Sequence, residues 1–112
     1  MKKKILFICT ANKMRSATAH ELYKDDTRFL VSSAGTDSEA PNPLNEDILE
    51  WADSILVMEK YHRNFIRKKF PSIYKSRKIA CMYIPDEYEF MDKELIAILT
   101  DRFEDFYRRK LI

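Results

Sequence analysis

A chain of 112 residues is enough for one domain, residues 1–112. Its 20 basic and 18 acidic side chains are too evenly balanced to imply a nucleic-acid partner. With 46% hydrophobic residues it can bury a core without staples, and its two cysteines have neither the number of a disulfide scaffold nor the spacing of a metal site. The basic start runs into an apolar stretch of only Ile5 to Ile8. That is too short for an export signal or a membrane span, so the expected compartment is the reducing cytoplasm, where a thiol stays free.

Lys4 to Cys9 reads as the first strand. Ile5, Leu6, Phe7 and Ile8 are continuously apolar, as in a strand covered on both faces. After the polar stretch Thr10 to Lys13, a helix is expected over Ser16 to Tyr23, with Ala19, Leu22 and Tyr23 on one face. Phe29 to Val31 is a second strand, followed by Gly35, the only glycine, at a turn or close approach. Pro41 and Pro43 make residues 36–45 a loop. Asn45 is suited to cap a helix over Glu46 to Trp51, where Leu49 faces the core. Ile55 to Met58 forms the third strand, and a helix follows over Tyr61 to Phe70, ended by Pro71. Lys78 to Ile84 is the fourth strand and carries Cys81, a core thiol. Asp92 caps a helix over Lys93 to Leu99, and a further helix over Asp101 to Leu111 is set off by Asp101. Strictly alternating strands and helices predict an α/β three-layer sandwich: a four-stranded parallel sheet with helices on both faces. Ligands of such sheets bind beyond the carboxyl ends of the strands, the edge on which Cys9 and Asp86 both fall.

The segment Cys9-Thr10-Ala11-Asn12-Lys13-Met14-Arg15-Ser16 joins a buried strand to a helix. Five residues between cysteine and arginine let the loop curl around a small anion, with backbone N–H groups and the helix N-terminus pointing inward. The Arg15 fork can grip two phosphate oxygens. The same field favours the thiolate of Cys9, the nucleophilic form. The Ser16 hydroxyl can donate to the sulfur or brace the loop, and Asn12 can take up unusual dihedrals or pin the loop with its amide. Cysteines in strands and arginines on helices also have ordinary structural uses, and it is their position between strand and helix that points to a site.

These residues resemble the low-molecular-weight protein tyrosine phosphatases, a family that also takes in bacterial arsenate reductases. The likeness rests on Ile5-Leu6-Phe7-Ile8-Cys9, Asn12 and Arg15-Ser16, then on Ser33-Ala34-Gly35-Thr36, Asp53 to Glu59 and Ile84-Pro85-Asp86. It covers Lys4 to about Leu99. It implies Cys9 as nucleophile, Arg15 as phosphate clamp and Asp86 as general acid, with Glu87 as the alternative acid. Thr10, Ala11, Asn12, Lys13, Met14 and Ser16 would form the phosphate cradle, and Tyr88 would line the substrate mouth. Ala11 stands where the family often has glycine, and the 36–50 segment is shorter than the one that carries part of the family's aromatic wall.

The implied activity is hydrolysis of phosphate monoesters, protein phosphotyrosine or aryl phosphate first among them, through a phosphocysteine, with a phosphorylated protein or a small phosphate monoester as partner. Inorganic phosphate would be product and inhibitor, and no metal or organic cofactor would be needed. The alternatives are an arsenate reductase using an external thiol and a phosphate- or phosphopeptide-binding module without turnover. His20 and His62, far apart in the chain, are expected on helix surfaces rather than at a metal, and Trp51 as a packing residue.

Overall fold

The computed structural model describes residues 2–112. The parallel sheet contains β1 (Lys3–Cys9), β2 (Phe29–Gly35), β3 (Ser54–Val57) and β4 (Lys78–Cys81), in the order β2-β1-β3-β4. β1 is therefore central. It pairs with β2 from Lys3–Phe29 to Cys9–Gly35, and with β3 from Ile5–Ser54 to Ile8–Val57. Burial on both sides explains its continuous apolar run, since Ile5 to Ile8 are all fully buried.

The two faces of β1 enter different cores. Ile5, Phe7 and Cys9 pack with Ala19 and Tyr23 of α1 (Arg15–Tyr23) and with Leu95, Leu99 and Phe103 of α5 (Lys93–Arg108). Leu6 and Ile8 pack instead with Leu49 of α2 (Glu46–Trp51), Ile66 of α3 (Lys60–Lys69) and Ile73 of α4 (Pro71–Ser76), with Trp51 partly buried against this second core. The layers are thus two helices, the sheet, and three short helices. No helix among the described residues is long and apolar enough to cross a membrane.

Four local expectations are corrected. α3 does end before Pro71, but a separate helix starts there. Proline cannot continue a helix, yet its fixed φ and missing N–H suit the first turn of the next. The strict alternation of strands and helices is accordingly broken between β3 and β4. β4 stops at Cys81 rather than Ile84, because Tyr83 takes a left-handed φ of 53°. Finally, Lys93 to Arg108 is one helix, without a break at Asp101: Leu99 and Phe103 lie on one buried face, and Asp101 is simply on the exposed side. The caps are as expected. Asn45 accepts a hydrogen bond from the Ile48 N–H, and Asp92 from that of Glu94.

Candidate functional site

β1 continues to a neighbour on each side, so the strand order switches at its carboxyl end, where Cys9 stands. Asn12 shapes the turn that follows. It is 8% exposed with φ 57°, a left-handed conformation that asparagine accepts more readily than most residues. This turns its N–H back onto Cys9 Sγ at 3.2 Å. The Asn12 side-chain amide donates to Ser16 Oγ at 2.8 Å, and Ser16 Oγ lies 3.0 Å from Cys9 Sγ. Ser16 is fully buried, and the sulfur is the acceptor its hydroxyl meets. Two donors thus converge on Sγ, an arrangement suited to a thiolate. Thr36 and Asp37 donate backbone N–H groups to the Cys9 and Thr10 carbonyls, each at 3.0 Å, tying the loop to the segment after β2.

Arg15 opens α1 and is only 2% exposed. Its Nη1 donates to Glu59 Oε2 at 2.5 Å and to the Ile84 carbonyl at 2.8 Å. With Nη1 held, the Nε–Nη2 edge is the fork left for a ligand's oxygens. Burial works against the Arg15 charge, but hydrogen bonds to Glu59 and Tyr61 and the charges of Cys9 and Glu59 outweigh it, and the pKa rises. Asp86 Oδ1 lies 3.9 Å from Arg15 Nε, and Asp86 is largely exposed. Glu87 is exposed beside it. Tyr88 is half-buried and packs against the α1–α5 core. Ala11, Lys13 and Met14 are exposed on the loop, and Thr10 is partly buried.

Three residues from the start of α3 complete the site, and their involvement was not read from the sequence. Glu59 holds Arg15. Desolvation works against its carboxylate, but the hydrogen bond from Arg15 outweighs this and keeps the pKa low. Tyr61 OH lies 2.8 Å from Thr10 Oγ1. His62 is fully buried, not on a helix surface: the capping of α3 and Thr10 take both its nitrogens. Its Nδ1 accepts the Glu59 N–H at 3.0 Å, so the ring proton sits on Nε2 and is donated to Thr10 Oγ1 at 2.9 Å. Burial, then the Arg15 charge, pushes the His62 pKa down to about 4, against the opposing pull of Glu59 and Asp86. The available signal was the spacing Glu59-x-x-His62 at a helix start, a capping box with histidine in the second position.

The remaining candidates lie outside this cluster. Cys81 is buried at the end of β4, where desolvation raises its pKa. His20 is half-buried, with Nδ1 3.0 Å from Ser33 Oγ, and burial lowers its pKa. Among the described residues no cluster of three His, Cys, Asp or Glu could hold a metal ion.

The backbone is similar to those of solved bacterial phosphatases. The arginine phosphatase YwlE of Geobacillus stearothermophilus is 22% identical, with a TM-score of 0.72 over 96% of this chain and 94% of that one. The tyrosine phosphatase AmsI of Erwinia amylovora is 21% identical, with a TM-score of 0.73 over 97% and 93%. SP-PTP, a low molecular weight protein tyrosine phosphatase from Streptococcus pyogenes, is 15% identical, with a TM-score of 0.75 over 95% and 92%. No protein-family model and no curated protein matches the sequence. The likeness is therefore one of fold: the chain has the fold of the low-molecular-weight phosphatases, with the Cys9–Arg15 loop at the switch in strand order.

Proposed function

We propose that this protein is a cysteine-dependent phosphatase that hydrolyses phosphate monoesters, with aryl phosphates, including phosphotyrosine, as the favoured class. The observation that carries the reading is the convergence of the Asn12 N–H and the Ser16 hydroxyl on Cys9 Sγ, one loop away from the buried fork of Arg15. The tyrosine phosphatase activity named for AmsI, a protein of the same fold, supports it.

In the first step Cys9 Sγ attacks phosphorus and the P–O bond to the leaving group breaks. Asp86 gives its proton to the departing oxygen, which leaves as the alcohol or phenol. The loop N–H groups between Thr10 and Met14 other than that of Asn12, which is held on Cys9 Sγ, and the Nε–Nη2 edge of Arg15 hold the equatorial oxygens, where charge builds up. In the second step Asp86 takes a proton from water, the water oxygen bonds to phosphorus, and the P–S bond breaks. Inorganic phosphate departs and the thiolate is restored. Product phosphate is therefore also an inhibitor. A phosphorylated protein or a small phosphate monoester is the partner, in the cytoplasm. Asp86 suits the acid role better than Glu87 because it lies beside Arg15. Cys81, buried in the sheet, is badly sited to relay electrons, which disfavours arsenate reduction through a second cysteine of this chain; reduction by an external thiol would show as arsenate-dependent oxidation of added glutathione.

Rapid-quench kinetics with p-nitrophenyl phosphate test this. A burst of nitrophenol and a phosphate adduct on Cys9, found by mass spectrometry, are expected. Arg15→Lys should lower kcat by about 10²-fold or more, the usual cost of losing a transition-state oxyanion contact. Oxyanion affinity with no burst and no adduct would make the protein a binding module instead.

A further inference from the structure

No residue from 36 to 50 is aromatic, so the segment that bears part of the aromatic wall in the resembled family supplies no ring here. Two exposed rings from elsewhere share one cleft, and one of them, Tyr61, touches the loop at Thr10. Tyr61 and Tyr83 are 51% and 60% exposed, and with Glu59, Lys60 and Pro85 they line a cleft of about 290 Å³.

This cleft adjoins the site through three of its lining residues. The Tyr61 hydroxyl meets Thr10 Oγ1, the second residue of the loop. Glu59 binds Arg15. Pro85 directly precedes Asp86, which lies beside Arg15 Nε. Three of the cleft's lining residues thus touch or directly precede the loop, the clamp and the acid.

The backbone at Tyr83 holds its ring outward under strain. A bulky residue at φ 53° is unfavourable unless its surroundings over-determine it. They do so here. Met82 and Ile84 on either side donate N–H groups to the Val57 and Met58 carbonyls, each at 2.8 Å. Arg102 of α5 donates to the Met82 carbonyl and, at 2.6 Å, to the Tyr83 carbonyl. Residues 82 and 84 are buried while the ring between them is turned to solvent, where it lines the cleft with Tyr61 and Pro85.

We infer that the cleft between Tyr61 and Tyr83 is the subsite that receives the aromatic ring of a phosphorylated substrate, an inference that rests on the phosphatase reading above. The two rings offer flat apolar surface for stacking, and the cleft has room for a single ring rather than a folded chain. A sugar or short alkyl group would leave that surface wet and gain nothing from it.

The test compares inhibition of the full chain by benzylphosphonate and methylphosphonate, which share the oxyanion and differ in the ring. Wild type should prefer the benzyl compound by about tenfold or more. Tyr83→Gly should lower that ratio at least fivefold, and this variant folds because glycine is at ease with a positive φ. Tyr61→Ala should lower it too, whereas Tyr61→Phe, which keeps the ring, should retain at least half of it. An unchanged ratio in both Tyr83→Gly and Tyr61→Ala would overturn the subsite. Turnover of p-nitrophenyl phosphate with no benzyl preference would overturn it while leaving the phosphatase reading intact. A benzyl preference that depends on Tyr83, without turnover, would support the subsite and sink the catalytic reading.

Discussion

His62 is kept neutral by what touches it. Its Nδ1 accepts the Glu59 N–H, so a proton there would displace the bond that caps α3, and the Arg15 charge adds to the cost of protonation. Glu59 and Asp86 face it with the opposite sign, and Thr10 and Tyr61 are its neutral neighbours. Its pKa in the folded chain, about 4, lies below the ordinary 6.5, so the unfolded chain takes up the proton first as pH falls. The stability it contributes is complete above about pH 6.5 and is lost as pH falls towards about 4. Carboxylates such as Glu59, Glu104 and Asp26, also held low, add their own losses further down. The thermal midpoint should therefore drop between pH 7 and 5, and His62→Asn should flatten that slope. Asparagine can still accept the Glu59 N–H but has no charge to gain and does not reach Thr10. Its turnover should fall roughly tenfold, within the range that misplacing a site residue costs. An equally steep slope in His62→Asn would mean that the loss arises elsewhere, with half-buried His20 the next residue to examine.

The strands were legible as elements because burial on both faces leaves an unbroken apolar run, as Ile5 to Ile8 shows. Elements shaped by tertiary contact were not. In Pro71 to Ser76 the local helix signal is Pro71 alone, at the first turn, and the helix forms because Ile73 packs into the second core. Asp101 looked like a boundary only while the burial of Leu99 and Phe103 on its either side was unknown. Gly35, the one glycine, is expected at a turn or a close approach; it ends β2, and the structure shows the close approach and its partner. A Cβ there would sit 2.5 Å from the Thr10 carbonyl oxygen and 2.7 Å from Ala40 Cβ. The Thr10 carbonyl already accepts the Asp37 N–H, so the end of β2 and the start of the loop are packed backbone to backbone. Gly35→Ala should therefore cost about 1–3 kcal/mol, the usual range for overpacking, measured by urea unfolding. It should cost far more in kcat/KM, on the order of 10²-fold, because the atoms that must give way belong to the loop itself. A variant that lost stability but kept its turnover would show that the loop tolerates displacement at Thr10.

At the scale of the molecule, the site is assembled from distant stretches of chain. Arg15 and Glu59 are 44 residues apart, Thr10 and His62 are 52 apart, and Arg15 meets the Ile84 carbonyl across 69. The loop candidates were legible from their spacing between strand and helix, and Asp86 was a candidate from its place after the fourth strand and from the family resemblance. The α3 contribution was hidden because only the β1–β3 pairing brings it alongside. Such an assembly should couple ligand binding to global stability, since an oxyanion in the loop engages groups that unfolding scatters. At a phosphate concentration about 100 times its Kd, binding to the folded chain alone adds about 2.7 kcal/mol. For a domain of this size that raises the thermal midpoint by about 10 °C. Arg15→Lys, with a point charge in place of the fork, should lose most of the shift at the same phosphate concentration. Cys81→Ser, altered in the sheet away from the loop, should keep it. Thermal unfolding of the three proteins with and without phosphate decides the matter. An equal shift in wild type and Arg15→Lys would mean that phosphate binds away from the Cys9–Arg15 loop, and that the Arg15 fork has another purpose.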